Sequence, residues 1–391
     1  MTTVIDRPIL APQEQTILLD RAKTLKKYFA HVADEHDKTG EFPKENYRMI
    51  QRAGFLGLPI PKEYGGLEAD PLTWALCLME FGEGCPATAL TFCMHCVVQY
   101  ILVDLATREQ KTRYFGEVIE KGKLFASATS QPGSSFRNAF EITEFKSAAN
   151  GWIIDTTRHF CSIGRHAHYF FVSGMMEGCK EAAQGLISAM IPIQTEGVVV
   201  EKRWNGTAMR STCSDTIGFH KILVPESDIV GSHGQLPCSG LLNLFALGYA
   251  AVYLGNAKAA LHFICNYMRH KRDNPQIQGI IGEMTTRISA SECLLFQAGN
   301  AMNQNPSASQ TVVAVNMAKW FSTETGAWVA DQAKQLAGGL AVTASLPLDR
   351  LAREAGAGIV MPPHNARCLE TIGARSFGLP APTLQIVGPE K

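Results

Sequence analysis

Leu18, Ala22, Leu25, Phe29 and Val32 recur at steps of four and three, which places them on one face of an amphipathic helix. Gly40 and Pro43 interrupt that period. A shorter helical pattern from Glu45 to Gly54 then runs into LGLPIPKEYGG (Leu56 to Gly66), where prolines and a double glycine force a turn-rich connection. Helical patterning resumes after Pro71, and Thr73 to Glu120 is rich in Ala, Leu, Met and Cys with few strand signals. The first 120 or so residues are predicted to be helical.

The period changes after Lys123. GWIIDTTRHF, HYFFVSGMM, GLISAMIPI, GVVVEKRW and TIGFHKILVP are short, rich in β-branched and aromatic residues, and separated by Gly, Asn and polar turns, so they predict strands. Beyond GSHGQLPCSG the helical period returns over Leu241 to Lys271, Gln276 to Met302 and Ser307 to Leu336, with NQNPSAS as a polar hinge. A final helical stretch is predicted from Pro347 to Ala374. Helices, then strands, then long antiparallel helices predict an α+β multidomain chain. Its parts are an N-terminal helical domain (1–123), a middle β-barrel or sandwich domain (124–232) and a C-terminal four-helix bundle (233–391). There is no internal repeat.

Composition narrows the function classes. The 391 residues carry 36 Lys plus Arg and 36 Asp plus Glu, so the chain has no basic footprint for nucleic acid. The N-terminus lacks a basic start followed by an apolar core, and no uninterrupted apolar run reaches roughly 18 residues, so a cytoplasmic protein that does not span a membrane is expected. The 11 cysteines are an odd number and are scattered, with Cys93 and Cys96 at the single CxxC spacing, which points to reduced thiols. On a helix His95, two residues from Cys93 and one from Cys96, points to a different face from either cysteine, so no metal site is expected.

Three ordered motifs carry a resemblance. AGFLGLPIPKEYGGLEAD, GTAMRSTCSDTIGFHKILVPESDIVG and QLAGGLAVTASLPLDRLAREA resemble, in that order, three signatures of the acyl-CoA dehydrogenase superfamily, and the match runs from about Phe42 to the C-terminus. The resemblance implies the acyl-CoA dehydrogenase-like fold, a homotetramer and bound FAD. It also implies an acyl thioester substrate on CoA or an acyl-carrier protein, and a flavoprotein electron acceptor. No GxGxxG follows a strand, so the diphosphate must be held otherwise. The family uses an arginine from a neighbouring subunit, which corresponds here to Arg269, with Lys271 and Arg272 adjacent in register. Gly338 and Gly339, after Gln335, would let backbone amides approach FAD, or would simply cap a helix.

Two runs resemble those presented to the flavin ring. In SATSQPGSS, Thr129 and Ser130 stand where the family bonds the pyrimidine edge. In RHFCSIG, Phe160 replaces the usual tryptophan and Ser162 the usual threonine, keeping an aromatic face and a hydroxyl able to donate to N5. The glutamate that removes the substrate α-proton is missing: its position is Pro362, and the alternative position on the first C-terminal helix is Phe245. His364 is the preferred local candidate for a base, with Glu370 less well placed.

RHFCSIG is also similar to the HFCSG run of the dibenzothiophene monooxygenase branch. That similarity implies FMN or FAD reduced by a partner flavin reductase, with His95 and Ser162 facing the flavin. The branch's two later histidines fall on Gly358 and Met361. The preferred reading is oxidation of an acyl thioester. A flavin monooxygenase and a catalytically inactive acyl- or partner-binding homologue remain open. Trp152 and Trp204 are expected in the β-domain core, and Asp349, Arg350 and Glu354 in a solvated or intersubunit ion-pair network.

Overall fold

The computed structural model describes residues 13–131 and 143–380. Five helices come first: α1 (Gln13–Thr39), α2 (Lys44–Arg52), α3 (Pro71–Gly84), α4 (Pro86–Leu105) and α5 (Arg108–Lys121). Their ends are set locally. Asp70 caps α3 by accepting from the Thr73 N–H, with Pro71 at the first helical position, and Thr107 and Gln110 form a reciprocal capping box on α5.

The middle of the chain is a curled sheet of β1 (Phe125–Ala128), β2 (Glu144–Ala148), β3 (Gly151–Cys161) and β4 (Tyr169–Met176), followed by the one-turn helix α6 (Ala182–Gly185) and then β5 (Leu186–Pro192), β6 (Val198–Lys202) and β7 (Asp215–Val224). The strand order is β1-β4-β2-β3-β7-β6, with β5 also on β4. β4 runs parallel to β1 and β2, and the other pairs are antiparallel. Two of these strands escape the sequence pattern. β1 reads FASA and β2 reads EFKSA, so neither has the β-branched run that marks the other five.

The third layer holds α7 (Gln235–Cys238), α8 (Asn243–Tyr267), α9 (Pro275–Gln304), α10 (Ser309–Ala337), α11 (Leu348–Val360) and α12 (Asn365–Ser376). The single final helix expected from the pattern is two helices. Pro362 and Pro363 lack the N–H a continuing helix needs, so the chain turns between them and His364 caps α12. α8 is the axis of the bundle and packs on α3, α4, α9, α10 and α11. It crosses α3 at backbone distance: a Cβ on Gly255 would lie 2.2 Å from the Met79 carbonyl oxygen, and one on Gly82 would lie 2.4 Å from that of Val252.

By length and mean hydropathy, α4 and α8 with its extension to Lys271 could each cross a membrane, but most of each apolar window is buried inside the protein. Within the helical layer Arg350 pairs with Asp34 and Glu354, and Glu354 is 2% exposed with its carboxyl pushed up to about 7 by burial. That pair is therefore an internal strut of α11 rather than a solvated network.

Candidate functional site

A cavity of about 750 Å³ opens where the sheet meets the helical layers. Each wall comes from a separate stretch of chain. α4 contributes Leu90 and Met94, the end of β1 contributes Ser127 to Gln131, and the end of β3 contributes His159, Phe160 and Ser162. The loop before β7 adds Trp204, Thr207, Met209, Thr212 and Ser214, the start of α8 adds Leu242, Phe245 and Tyr249, and α11 with the following turn adds Arg353, Gly356, Ala357, Val360, Met361, Pro362 and Pro363. Its lining combines apolar side chains such as Leu90, Met94, Leu242 and Phe245 with the hydroxyls of Ser127, Thr129, Ser130, Ser162, Thr212 and Ser214. No single segment could form it.

A bulge shapes the wall formed by the end of β3. The β3–β7 register shifts between Arg158 and Cys161, and Phe160 takes a positive φ of 54°. An extra residue in one strand kinks it and re-aims a side chain. Phe160 is thereby turned out of the sheet, 64% exposed, and meets Trp204 edge to face at a centroid distance of 6.0 Å. Trp204 is thus a cavity residue, not the core residue expected from its strand. Trp152 is 8% exposed and donates its indole N–H to Glu226 Oε1 at 2.8 Å.

Beside the aromatic pair lies a chain of hydroxyls. Ser162 Oγ is 2.9 Å from Ser214 Oγ, which is 2.7 Å from Thr212 Oγ1, and Thr212 Oγ1 donates to the Met209 carbonyl at 2.9 Å. Thr129 and Ser130 sit on the adjacent wall, and the Ser130 carbonyl accepts from the His159 N–H at 2.9 Å. The rest of that run, Pro132 to Ser135, lies outside the described residues. Ser127 also lines the cavity and is 5% exposed, yet its Oγ has no partner. A buried hydroxyl without a hydrogen bond is uncommon.

The electrostatics are sparse. Among the described residues lining the cavity there is no Asp, Glu or Lys, and Arg353 is the one charged side chain. Its charge is already answered: the guanidinium donates to Asp37, Asp349 and the Thr207 carbonyl, and the bonds to Asp37 raise its pKa further. Pro362 and Phe245, the two positions where a glutamate was expected from the resemblance, are both on the wall. Glu370 is on α12 and pairs with Arg367.

The two histidines expected to act here are elsewhere. His95 is fully buried off the cavity. Its Nδ1 accepts from the Phe125 N–H at 3.0 Å, and its Nε2 lies 3.0 Å from the Leu56 carbonyl and 2.6 Å from Gln99 Nε2. Burial holds its pKa down to about 4, so the neutral ring ties α4 to β1. His364 is exposed and accepts from the Arg367 N–H at 3.3 Å, which makes it the cap of α12 instead of a cavity residue. Gly358 could not hold a histidine, since its Cβ would lie 2.8 Å from the Tyr253 ring.

Arg269, Gln335, Gly338 and Gly339 are all exposed and do not line this chain's cavity. A Cβ on Gly338 or Gly339 meets nothing within 4 Å, so close approach within the chain does not explain these glycines. Gly338 needs to be glycine for its φ of 71°.

The sequence reading passed over Ser127, Thr212, Arg158 and Arg353. Arg158 had a legible signal, because it shares the inward two-residue period of Trp152 and Ile154.

The comparisons follow this geometry. The model for the acyl-CoA dehydrogenase N-terminal domain matches residues 12–121, and that for the acyl-CoA dehydrogenase C-terminal domain matches residues 237–361. A 3-(aryl)acrylate reductase of Clostridium sporogenes is 26% identical over 336 residues, covering 83% of this chain and 87% of that protein. An acryloyl-CoA reductase (NADH) of Anaerotignum propionicum is 26% identical over 350 residues, covering 85% and 88%. Among solved structures, butyryl-CoA dehydrogenase from Megasphaera elsdenii has a TM-score of 0.87 at 19% identity, covering 95% of this chain and 100% of that one. Dibenzothiophene monooxygenase from Paenibacillus sp. A11-2 has a TM-score of 0.83 at 22% identity, covering 94% and 99%.

Proposed function

The chain belongs to the acyl-CoA dehydrogenase superfamily, and from that premise we propose that it is a flavin-dependent monooxygenase acting on an apolar substrate, with FMN or FAD reduced by a partner flavin reductase and oxygen as co-substrate. The observation that carries this reading is the absence of any carboxylate among the described residues lining the cavity, with Pro362 and Phe245 on its wall. Removing the α-proton of a thioester requires a base within hydrogen-bond reach. His159 is the one imidazole on the wall, and its Nδ1 is engaged with Thr216 Oγ1 at 3.0 Å.

The residues present suit a flavin. Phe160 and Trp204 supply aromatic faces, Thr129, Ser130 and Ser162 supply hydroxyls for a ring edge, and the unpartnered Ser127 Oγ is a polar atom that a ligand would complete. A bound flavin would supply the electron-transfer chemistry that no side chain here can. Leu90, Met94, Leu242, Phe245, Tyr249 and Met361 form the apolar end, which would hold a substrate away from water. The similarly folded Paenibacillus enzyme is known as a complex with FMN and indole, a flavin and a small aromatic compound. In this reading Arg269, Gln335, Gly338 and Gly339 serve a neighbouring copy's flavin in a homotetramer.

Thioester oxidation with a flavoprotein electron acceptor is the second reading, favoured by curated relatives that act on acyl-CoA or acryloyl-CoA. The two separate in one experiment. Protein reconstituted with FAD or FMN is challenged anaerobically with acyl-CoA and acyl-carrier-protein thioesters, and separately with flavin reductase, oxygen and small aromatic compounds. Oxygen-dependent product without thioester bleaching is expected. Bleaching by any thioester would overturn the monooxygenase reading, and failure to bind either flavin would point to an inactive binding homologue.

A further inference from the structure

Resting on the monooxygenase reading above, we propose that the substrate is an apolar compound carrying one hydrogen-bond acceptor, such as a carbonyl oxygen, and that the Tyr249 hydroxyl is the group that selects it. Leu242, Phe245 and Tyr249 follow one another at steps of three and four at the start of α8, and Leu90 and Met94 are four apart on α4. Such steps put side chains on one helix face. All five line the cavity, and α4 packs on α8. Two helices therefore present four apolar side chains and one phenol to the same space.

The surroundings of that phenol set it apart from the other buried tyrosines. Tyr100 donates to the Ala69 carbonyl at 2.8 Å and so holds part of the fold together. Tyr253, one turn beyond Tyr249, has an unpartnered hydroxyl, but its oxygen is sealed in the core. Tyr249 is 6% exposed and has no hydrogen-bond partner among the described residues, yet its oxygen is not sealed. The hydroxyl is left facing the cavity that the residue lines.

Its protonation state follows from burial, which raises the phenol above its ordinary pKa, with the Cys93 thiol adding to the rise. The proton stays on, and no carboxylate among the described lining residues competes for it. A phenol oxygen shares a lone pair with its ring, so it is a better donor than acceptor. In the flavin reading the ring is assigned to Thr129, Ser130, Phe160 and Ser162, which leaves the α4 and α8 faces to the substrate. A purely apolar ligand that displaces water there strands a buried donor, whereas a ligand with an acceptor completes it. A site built to hydrogen-bond its substrate rejects an analogue lacking that group more strongly than an apolar pocket rejects an added one.

The test is calorimetric titration of the full-length protein, alone and reconstituted with FMN. The two probes are acetophenone and α-methylstyrene, in which a methylene group replaces the carbonyl oxygen. Tyr249→Phe should weaken acetophenone, tighten α-methylstyrene, and so shift the ratio of their affinities at least about tenfold towards the hydrocarbon. Comparing the ratio between the two proteins cancels the hydration of the probes themselves. A hydroxyl that only served the fold would change both affinities alike. In the wild type, the infrared carbonyl stretch of bound acetophenone should lie below its position in hexane, the mark of a donated hydrogen bond. An unchanged ratio in Tyr249→Phe, a carbonyl stretch at the hexane position, or failure of the wild type to bind either probe would overturn the assignment. If Tyr249→Phe does not fold, the infrared measurement still decides. Both readouts are equilibrium measurements that need neither oxygen nor reductase. A shifted ratio without oxygen-dependent product would therefore support the role of Tyr249 while sinking the monooxygenase reading.

Discussion

Replacing Ser127 by alanine should make the ligand-free protein more stable while weakening its hold on flavin, a pairing that few substitutions produce. Ser127 is on β1 with its backbone in the ladder to Phe171 of β4, so the change leaves the sheet register intact. Its hydroxyl is buried without a partner. Leaving such a group unsatisfied costs about 1–3 kcal/mol, and alanine removes the group without opening a large void. The apo protein should therefore gain about 1 kcal/mol, read as a shift in urea midpoint at constant slope. With flavin bound, the same hydroxyl is expected to gain a partner. Loss of one neutral hydrogen bond costs about 0.5–1.5 kcal/mol, so the dissociation constant should rise roughly 2- to 12-fold in a fluorescence titration. A variant that is less stable than wild type and binds flavin equally well would refute the reasoning, because the hydroxyl would then be serving the fold.

The other predictions test the scaffold and the ring wall. His95 has a folded pKa near 4 against about 6.5 unfolded, so the neutral ring stabilises the fold fully above about pH 6.5. Its contribution, at most roughly 3 kcal/mol, is lost as pH falls from 6.5 towards 4. His95→Phe should cost about 1–3 kcal/mol at pH 7, by stranding the Phe125 N–H, and should flatten the pH dependence of urea unfolding relative to wild type. An equally steep dependence in both proteins would count against it. Gly255→Ala forces α3 and α8 apart and should destabilise by about 1–3 kcal/mol despite alanine's better helix propensity. Gly116→Ala, where a Cβ meets nothing, should instead stabilise by up to about 1 kcal/mol, and thermal melts that ranked the two the other way would reject the close crossing. Phe160→Ala should change stability by less than about 0.5 kcal/mol, because the ring is 64% exposed, yet weaken FMN and FAD binding several-fold. Unchanged affinity would remove Phe160 from the ring wall.

Much of the architecture was legible because its signals are local. The step of four and three from Leu18 to Val32 is a property of one helix, and the β-branched runs from Gly151 to Pro225 are properties of single strands. β1 escaped because Ala and Ser carry little strand preference, and its place in the sheet depends on pairing with β4 across more than forty residues. The break between α11 and α12 was within reach, since two adjacent prolines cannot continue a helix. His95 and His364 were misplaced for one reason. Sequence position says that an imidazole lies near a motif, but not which backbone group its ring will bind.

The sequence by itself determined the order of helical and strand segments and the family signatures, because each is written in contiguous residues. The tertiary structure decided which side chains face one another. Phe160 reaches Trp204 only through a bulge, and Pro362 and Phe245 line one cavity only because α11 packs on α8. The Thr212, Ser214 and Ser162 hydroxyls form one chain only because the loop before β7 folds against the end of β3. Hydrogen-bond direction and buried charge depend on what surrounds an atom in space, which a linear pattern does not encode.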